Sequence, residues 1–388
     1  GTWLLNGLSI HRMYEQRIRR TWIISGVPPS QKARDDLRGK DWERTWVRPD
    51  LTVGGLAAEP EKITSPYPMW VTALNMAGST NVALLGRKSD GFVIGPVVCG
   101  SRTTGWVKTE ESAAFRNMRL STAATISGAA VSPNMGTTTH PTLAIAMTLF
   151  NVRLGMWVKN PLRPTKTKER VISALQRLFS VYWNELGGRA SHRGAWVYLS
   201  DGGHFENLGI YELLRRRCKY IIAVDATGEP GGNGPLNFGG IGIPLRMART
   251  DFGVEVKLDI RPLERDLATG HAGSYFAVGR IRYPKAEGGH GNPDALDSDR
   301  DTGYLVVIKS SLVDRTVPPD VINYFRQENS DFPYDSTVDQ QFAQPQFESY
   351  RQLGFIAGAA VADAAVGSTL DMRFQALHQA YQSRLAVP

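Results

Sequence analysis

Apolar residues along the chain fall into short, unbroken runs separated by glycine-, proline- and charge-rich stretches. That spacing predicts strands buried on both faces rather than long amphipathic elements. Runs at 69–76 (MWVTALNM) and 91–98 (GFVIGPVV) read as the first two strands. Between 195 and 199 the run AWVYL reads as a third. It is followed by the turn Asp201-Gly202-Gly203 and by a segment, 206–217, in which Ile210, Leu213 and Leu214 share one helical face. Arg215, Arg216 and Arg217 close that helix at the end where cations favour its dipole. The run 220–224 (YIIAV) reads as the next strand, and 252–260, 275–283 and 303–311 as later ones. Helices are expected at 13–20, 119–131, 141–158, 166–185, 318–327, 338–356 and 370–384. Segments 26–66, 228–242 and 286–294 read as irregular surface.

Strand, helix and strand within about thirty residues make a βαβ unit and imply an at least partly parallel sheet. The expected fold is therefore α/β, a mixed sheet with helices on both faces. The longest apolar stretch, 141–158, is interrupted by Asn151 and Arg153 and reads as a core helix, with a membrane-surface helix as the competing reading, and not as a membrane span.

Composition changes this picture little. Hydrophobic residues are 42% and charged residues 21% of 388, which excludes global disorder and coiled coil. Two cysteines, Cys99 and Cys218, cannot build a disulfide framework or a four-thiolate zinc site. Charge adds more: the formal net charge of +8 favours an anionic partner. With no zinc-finger or RNP-type motif beside it, a solvated basic surface is favoured over a nucleic-acid site, and a membrane surface stays open.

Asp201 is the strongest candidate for chemistry. It follows a predicted strand, where open α/β sheets place functional groups. Gly202 and Gly203 allow close approach of another chain or a substrate. The helix start beyond them is expected to keep the carboxylate ionised, as a general base requires. The competing reading is a plain Asp-Gly turn. No G-x-S-x-G is present to carry a nucleophile. Ser9 has His11 in place of the second glycine, and Ser127 has Thr125 and Ala129 at both glycine positions. The seven histidines form no ligand spacing, so no metal is expected, and His204 reads as a helix-entry residue. Gly239-Gly240-Ile241-Gly242 lacks the third glycine of a dinucleotide fingerprint, and Asp225 alone is slender support for a nucleotide site. No cofactor is expected.

The segment 199–217, LSDGGHFENLGIYELLRRR, resembles the Asp-containing block of bacterial patatin-like phospholipases, in particular their large membrane-associated subset. That subset is more distantly similar to cytosolic phospholipases. Four further segments agree in order: Ser65-Pro66-Tyr67-Pro68 with Thr72-Ala73-Leu74-Asn75; Cys99-Gly100-Ser101; 126–136 (ISGAAVSPNMG); and Asp331-Phe332-Pro333 through 348–354 (ESYRQLG). The resemblance covers roughly 1–356. It implies a three-layer α/β/α sandwich and a Ser–Asp dyad hydrolysing lipid esters, with Asp201 matching the catalytic Asp. It also implies that Gly202, Gly203, Ser127 and Gly128 lie near the active site, the last two in an element lining the acyl site. In that family the oxyanion loop and nucleophile Ser lie N-terminal to everything matched here. The chain opens Gly1-Thr2-Trp3 and is expected to be N-terminally incomplete.

The resemblance further implies one patatin-like domain over 1–388: an entry segment 1–66, a core 67–356 and a C-terminal helical segment 357–388. The expected setting is a membrane-associated protein on the cytoplasmic side, with a lipid or phospholipid ester as substrate and no nucleic acid partner. The chain alone is expected to be inactive. The alternative is a non-catalytic lipid- or membrane-surface-binding α/β module.

Overall fold

The computed structural model describes residues 11–19, 51–57, 67–76, 87–128, 155–161, 163, 191–228, 235–285, 301–313, 316–335 and 342–385. The chain divides into two compact units, Gly1–Phe205 and Glu206–Pro388.

The first unit opens with helix α1 (His11–Ile18), and continues through strands β1 (Trp70–Asn75), β2 (Ser89–Ile94), β3 (Val98–Ser101) and β4 (Gly105–Lys108). The predicted strand 91–98 is thus two strands, because Gly95-Pro96 cannot continue the ladder. Helices α2 (Ala113–Arg116) and α3 (Leu120–Ser127) follow, then β5 (Met156–Lys159) and β6 (Trp196–Ser200). The six strands form one sheet in the order β4-β3-β2-β1-β6-β5. Every pairing in it is antiparallel. Its core joins Leu74, Phe92, Ile94, Val197 and Leu199 to Phe115 and Ile126 from the helices. The Phe92 and Phe115 rings lie 5.7 Å apart. Burying each such side chain stabilises the unit by about 1.5–3 kcal/mol.

In the second unit, helix α4 (Ile210–Arg215) leads into β7 (Tyr220–Asp225), then come α5 (Gly239–Phe252), β8 (Glu255–Lys257), β9 (Phe276–Arg282) and β10 (Thr302–Lys309). These strands form a mixed sheet, β7-β10-β9-β8. Strand β10 is parallel to β7 and antiparallel to β9, and is buried along its length. Helix α6 (Pro319–Asn323) with a π-turn (Tyr324–Glu328), α7 (Gln344–Ala364) and α8 (Leu370–Leu385) complete the unit. In α8, Phe374, Leu377 and Tyr381 are buried at helical spacing. They meet the sheet through Tyr220–Phe374 and Phe276–Tyr381 ring contacts.

Mixed helix and strand content with a mixed sheet agrees with the α/β expectation. The βαβ unit does not form: β6 and β7 lie in different sheets, and β6 has antiparallel neighbours on both sides. The two flanks of β6 are taken by β1 and β5, which leaves β7 no edge of it to pair with. Two further differences follow from short elements overriding long patterns. Residues 156–159 are a strand, not the end of a helix, and residues 239–242, expected to end a loop, open the helix Gly239–Phe252. The glycines at 239, 240 and 242 occupy its first turn, where cost in helix propensity is lowest to bear. The expected helix 166–185 and most of 141–158 lie outside the described residues. Among the described residues no helix is long and apolar enough to cross a membrane.

Candidate functional site

Strand β6 delivers Asp201 at its end, into a single 3-10 turn, Gly202–His204. The Asp201 carboxylate caps that turn, accepting the Gly203 amide at 2.7 Å. The turn closes on itself through the His204 amide to Asp201 O (3.1 Å) and the Phe205 amide to Gly202 O (2.8 Å). No long helix begins here: α4 starts only at Ile210, after the left-handed Gly209. Asp201 therefore lacks the helix dipole expected from the sequence. Burial pushes its carboxyl above the ordinary carboxylate range, and the single Gly203 hydrogen bond offsets this only in part. Desolvation of the anion wins. A half-buried Asp biased toward its neutral form is suited to proton transfer nearer neutrality than a surface Asp.

Gly202 is required by sterics. A Cβ there would lie 2.7 Å from Val71 O and 3.8 Å from Ser127 O. Ser127, the last residue of α3, donates its hydroxyl to the same Val71 carbonyl at 2.7 Å. The Asp-Gly-Gly turn and the end of α3 thus converge on strand β1. Ser127 is committed to this backbone contact, and its role here is to tie α3 to β1.

Gly128, the C-cap of α3, faces another partner: a Cβ there would lie 3.2 Å from the Tyr14 hydroxyl. Tyr14 lies on α1. Its phenol is pushed up in pKa first by burial and then by the negative charge of Asp201. Sequence reasoning missed Tyr14, because an aromatic in a polar, Arg-rich helix carries no motif. A clue was present in composition alone: Tyr14 is the one aromatic in MYEQRIRR.

His204 was read as a helix-entry residue, and the structure gives it a partner. Its Nδ1 lies 2.9 Å from Ser200 Oγ, which also accepts from Asn75 Nδ2 at 2.8 Å. Its carbonyl accepts from Ser89 Oγ at 3.0 Å. Ser200 and Asn75 are fully buried, so this chain of hydrogen bonds braces the turn from the interior.

The other matched segments divide. Cys99-Gly100-Ser101 is interior: Cys99 is buried and its thiol pushed up by burial, and a Cβ on Gly100 would strike Gly105 O at 2.2 Å. In the second unit, Phe332 packs edge-on against Tyr324 and Tyr350, whose hydroxyl donates to Asp335 at 2.5 Å. Both are packing corners. Residues 129–136 of the Ser127 segment, and Ser9, lie outside the described residues. Among the described residues no group of His, Cys, Asp and Glu could hold a metal ion.

No family model matches the chain, and no curated protein matches it. Among solved structures it is similar to human GIVD cytosolic phospholipase A2, with a TM-score of 0.44 and 12% identity. The match covers 86% of this chain and 47% of the other, so the chain spans about half of that protein's length. A likeness at that level assigns neither activity nor substrate.

Proposed function

We propose that Asp201 is the acidic member of a Ser–Asp dyad in a lipid acyl hydrolase of patatin-like type. One α/β/α domain over 1–388 belongs to the same reading. The observation that carries it is the Asp201 turn itself. A half-buried carboxylate with raised pKa stands at a strand end, on a glycine that only a bare backbone could pass beneath the Val71 carbonyl. In such a dyad the Asp takes the serine proton as the hydroxyl attacks an ester carbonyl, then returns it to the leaving alcohol. Backbone amides would hold the tetrahedral oxyanion. Ser127 is not the nucleophile in this scheme, since its hydroxyl serves Val71. Gly203 keeps Asp201 oriented through its amide.

The test is ester hydrolysis by the full-length protein on short-chain aryl esters and phosphatidylglycerol vesicles. Asp201→Asn keeps the shape and removes the base, and is expected to lower kcat by at least about a hundredfold at unchanged melting temperature. Wild-type activity should fall on the acid side at a pH above that of an ordinary carboxylate, because Asp201 must lose its proton to act. Unchanged turnover in Asp201→Asn removes the assignment. Vesicle binding without turnover in either protein would favour the non-catalytic lipid-surface module, which rests on the +8 charge.

A further inference from the structure

Helix α1 presents two faces. Tyr14 points one way, toward Gly128; at 100° per residue, Arg12, Gln16 and Arg19 lie on roughly the opposite side. That second face borders a separate groove of about 750 Å³ in the first unit. Arg12, Arg19, Arg119 and Lys159 line it, against one carboxylate, Glu15. Glu15 is already engaged by the hydroxyls of Thr122 (2.6 Å) and Ser121 (3.0 Å). Arg119 and Lys159 form no ion pair among the described residues. Met118, Met156, Trp157 and Trp196 give the groove an apolar and aromatic part. Trp157 is 2% exposed, and its Nε1–H has no hydrogen-bond partner among the described residues. Buried indole N–H groups normally meet an acceptor. A concave wall with a few convergent polar groups is the usual form of a small-ligand site.

We infer that this groove binds a single-chain anionic amphiphile, its phosphate or carboxylate head held by Arg119 and Lys159 beside α1 and its alkyl chain laid along Met156 and Trp196. Charge selects the head, since cations unmatched by protein carboxylates attract an anion strongly where water is partly excluded. The apolar wall selects the chain, at a gain for each methylene buried. The site stands apart from Asp201 and does not depend on the hydrolase reading. If that reading holds, the products of acyl hydrolysis have the chemistry this groove would take.

The test is titration calorimetry of the purified chain with dodecyl phosphate below its micelle concentration. One molecule is expected to bind per chain. Butyl phosphate and inorganic phosphate should bind at least tenfold more weakly, and so should dodecyltrimethylammonium. The double variant Arg119→Gln/Lys159→Gln should weaken dodecyl phosphate roughly tenfold or more with its melting temperature retained. Asp201→Asn should bind as the wild type does, so that failure here and failure of the hydrolase reading are seen separately. Equal affinity for inorganic and dodecyl phosphate would overturn the amphiphile assignment. Equal affinity of the double variant, or of the cationic detergent, would overturn the groove as an anion site.

Discussion

Asp201 and Asp225 look alike in sequence: each ends an apolar strand, and each leads toward glycines. Their surroundings are opposite. Asp225 is 1% exposed and faces the Lys309 ammonium at 3.1 Å. It also accepts from the Thr227 amide at 3.0 Å and the Thr227 hydroxyl at 2.6 Å. Asp201 has no cation partner among the described residues, accepts one amide, and is raised in pKa by burial. A fully compensated carboxylate holds a sheet together, whereas an under-compensated one is available to exchange a proton. The difference separates a structural Asp from a candidate catalytic one better than either strand-end position does.

The largest effect should come from breaking the Asp225 side. Lys309→Met leaves a buried charge with no counter-ion and should cost about 3–5 kcal/mol, read as a lowered denaturant midpoint. Adding Asp225→Asn should recover much of that loss, since the pair is replaced by neutral groups of similar volume. Asp201→Asn should change stability by less than about 0.5 kcal/mol. A large loss from Asp201→Asn would erase the distinction between the two sites.

A third carboxylate, Glu206, is under-compensated like Asp201 and tests the same idea by pH. It is buried, accepts the Leu208 amide at 2.9 Å, and has its pKa raised to about 7, chiefly by burial. The unfolded chain releases this proton near the ordinary Glu value and the folded chain only near 7. Between those values the folded state holds the extra proton. Stability from this group is thus full in acid, falls as pH rises through that window, and levels off above 7. The difference is roughly 3 kcal/mol. Denaturation of wild type at pH 5 and pH 8 should show that loss, and Glu206→Gln should remove most of it.

Much of this was legible in the sequence. Strands β1, β6, β7, β9 and β10 coincide with apolar runs, because a buried strand needs little beyond such a run. The Asp201 turn was legible too, from Asp-Gly-Gly after a strand. Partners were not. Whether β6 and β7 share a sheet depends on which strands flank β6, and these come from 70–75 and 156–159, far off in sequence. The Lys309–Asp225 pair joins residues 84 apart and leaves no trace in local spacing. The raised pKa of Asp201 comes from burial, which local spacing does not show.

Two smaller substitutions sharpen the geometry around Asp201 itself. Gly202→Ala places a methyl 2.7 Å from Val71 O, a backbone atom that cannot swing aside. The turn must shift, at about 1–3 kcal/mol, and the Asp201 carboxylate moves with it. Activity should therefore fall together with stability. Ser127→Ala removes one hydrogen bond to the same carbonyl and should cost about 1 kcal/mol. It leaves the turn in place, so turnover should stay within a few-fold of wild type. If Ser127→Ala abolished turnover without lowering the melting temperature, Ser127 would have to be a reacting group, and its bond to Val71 a resting position.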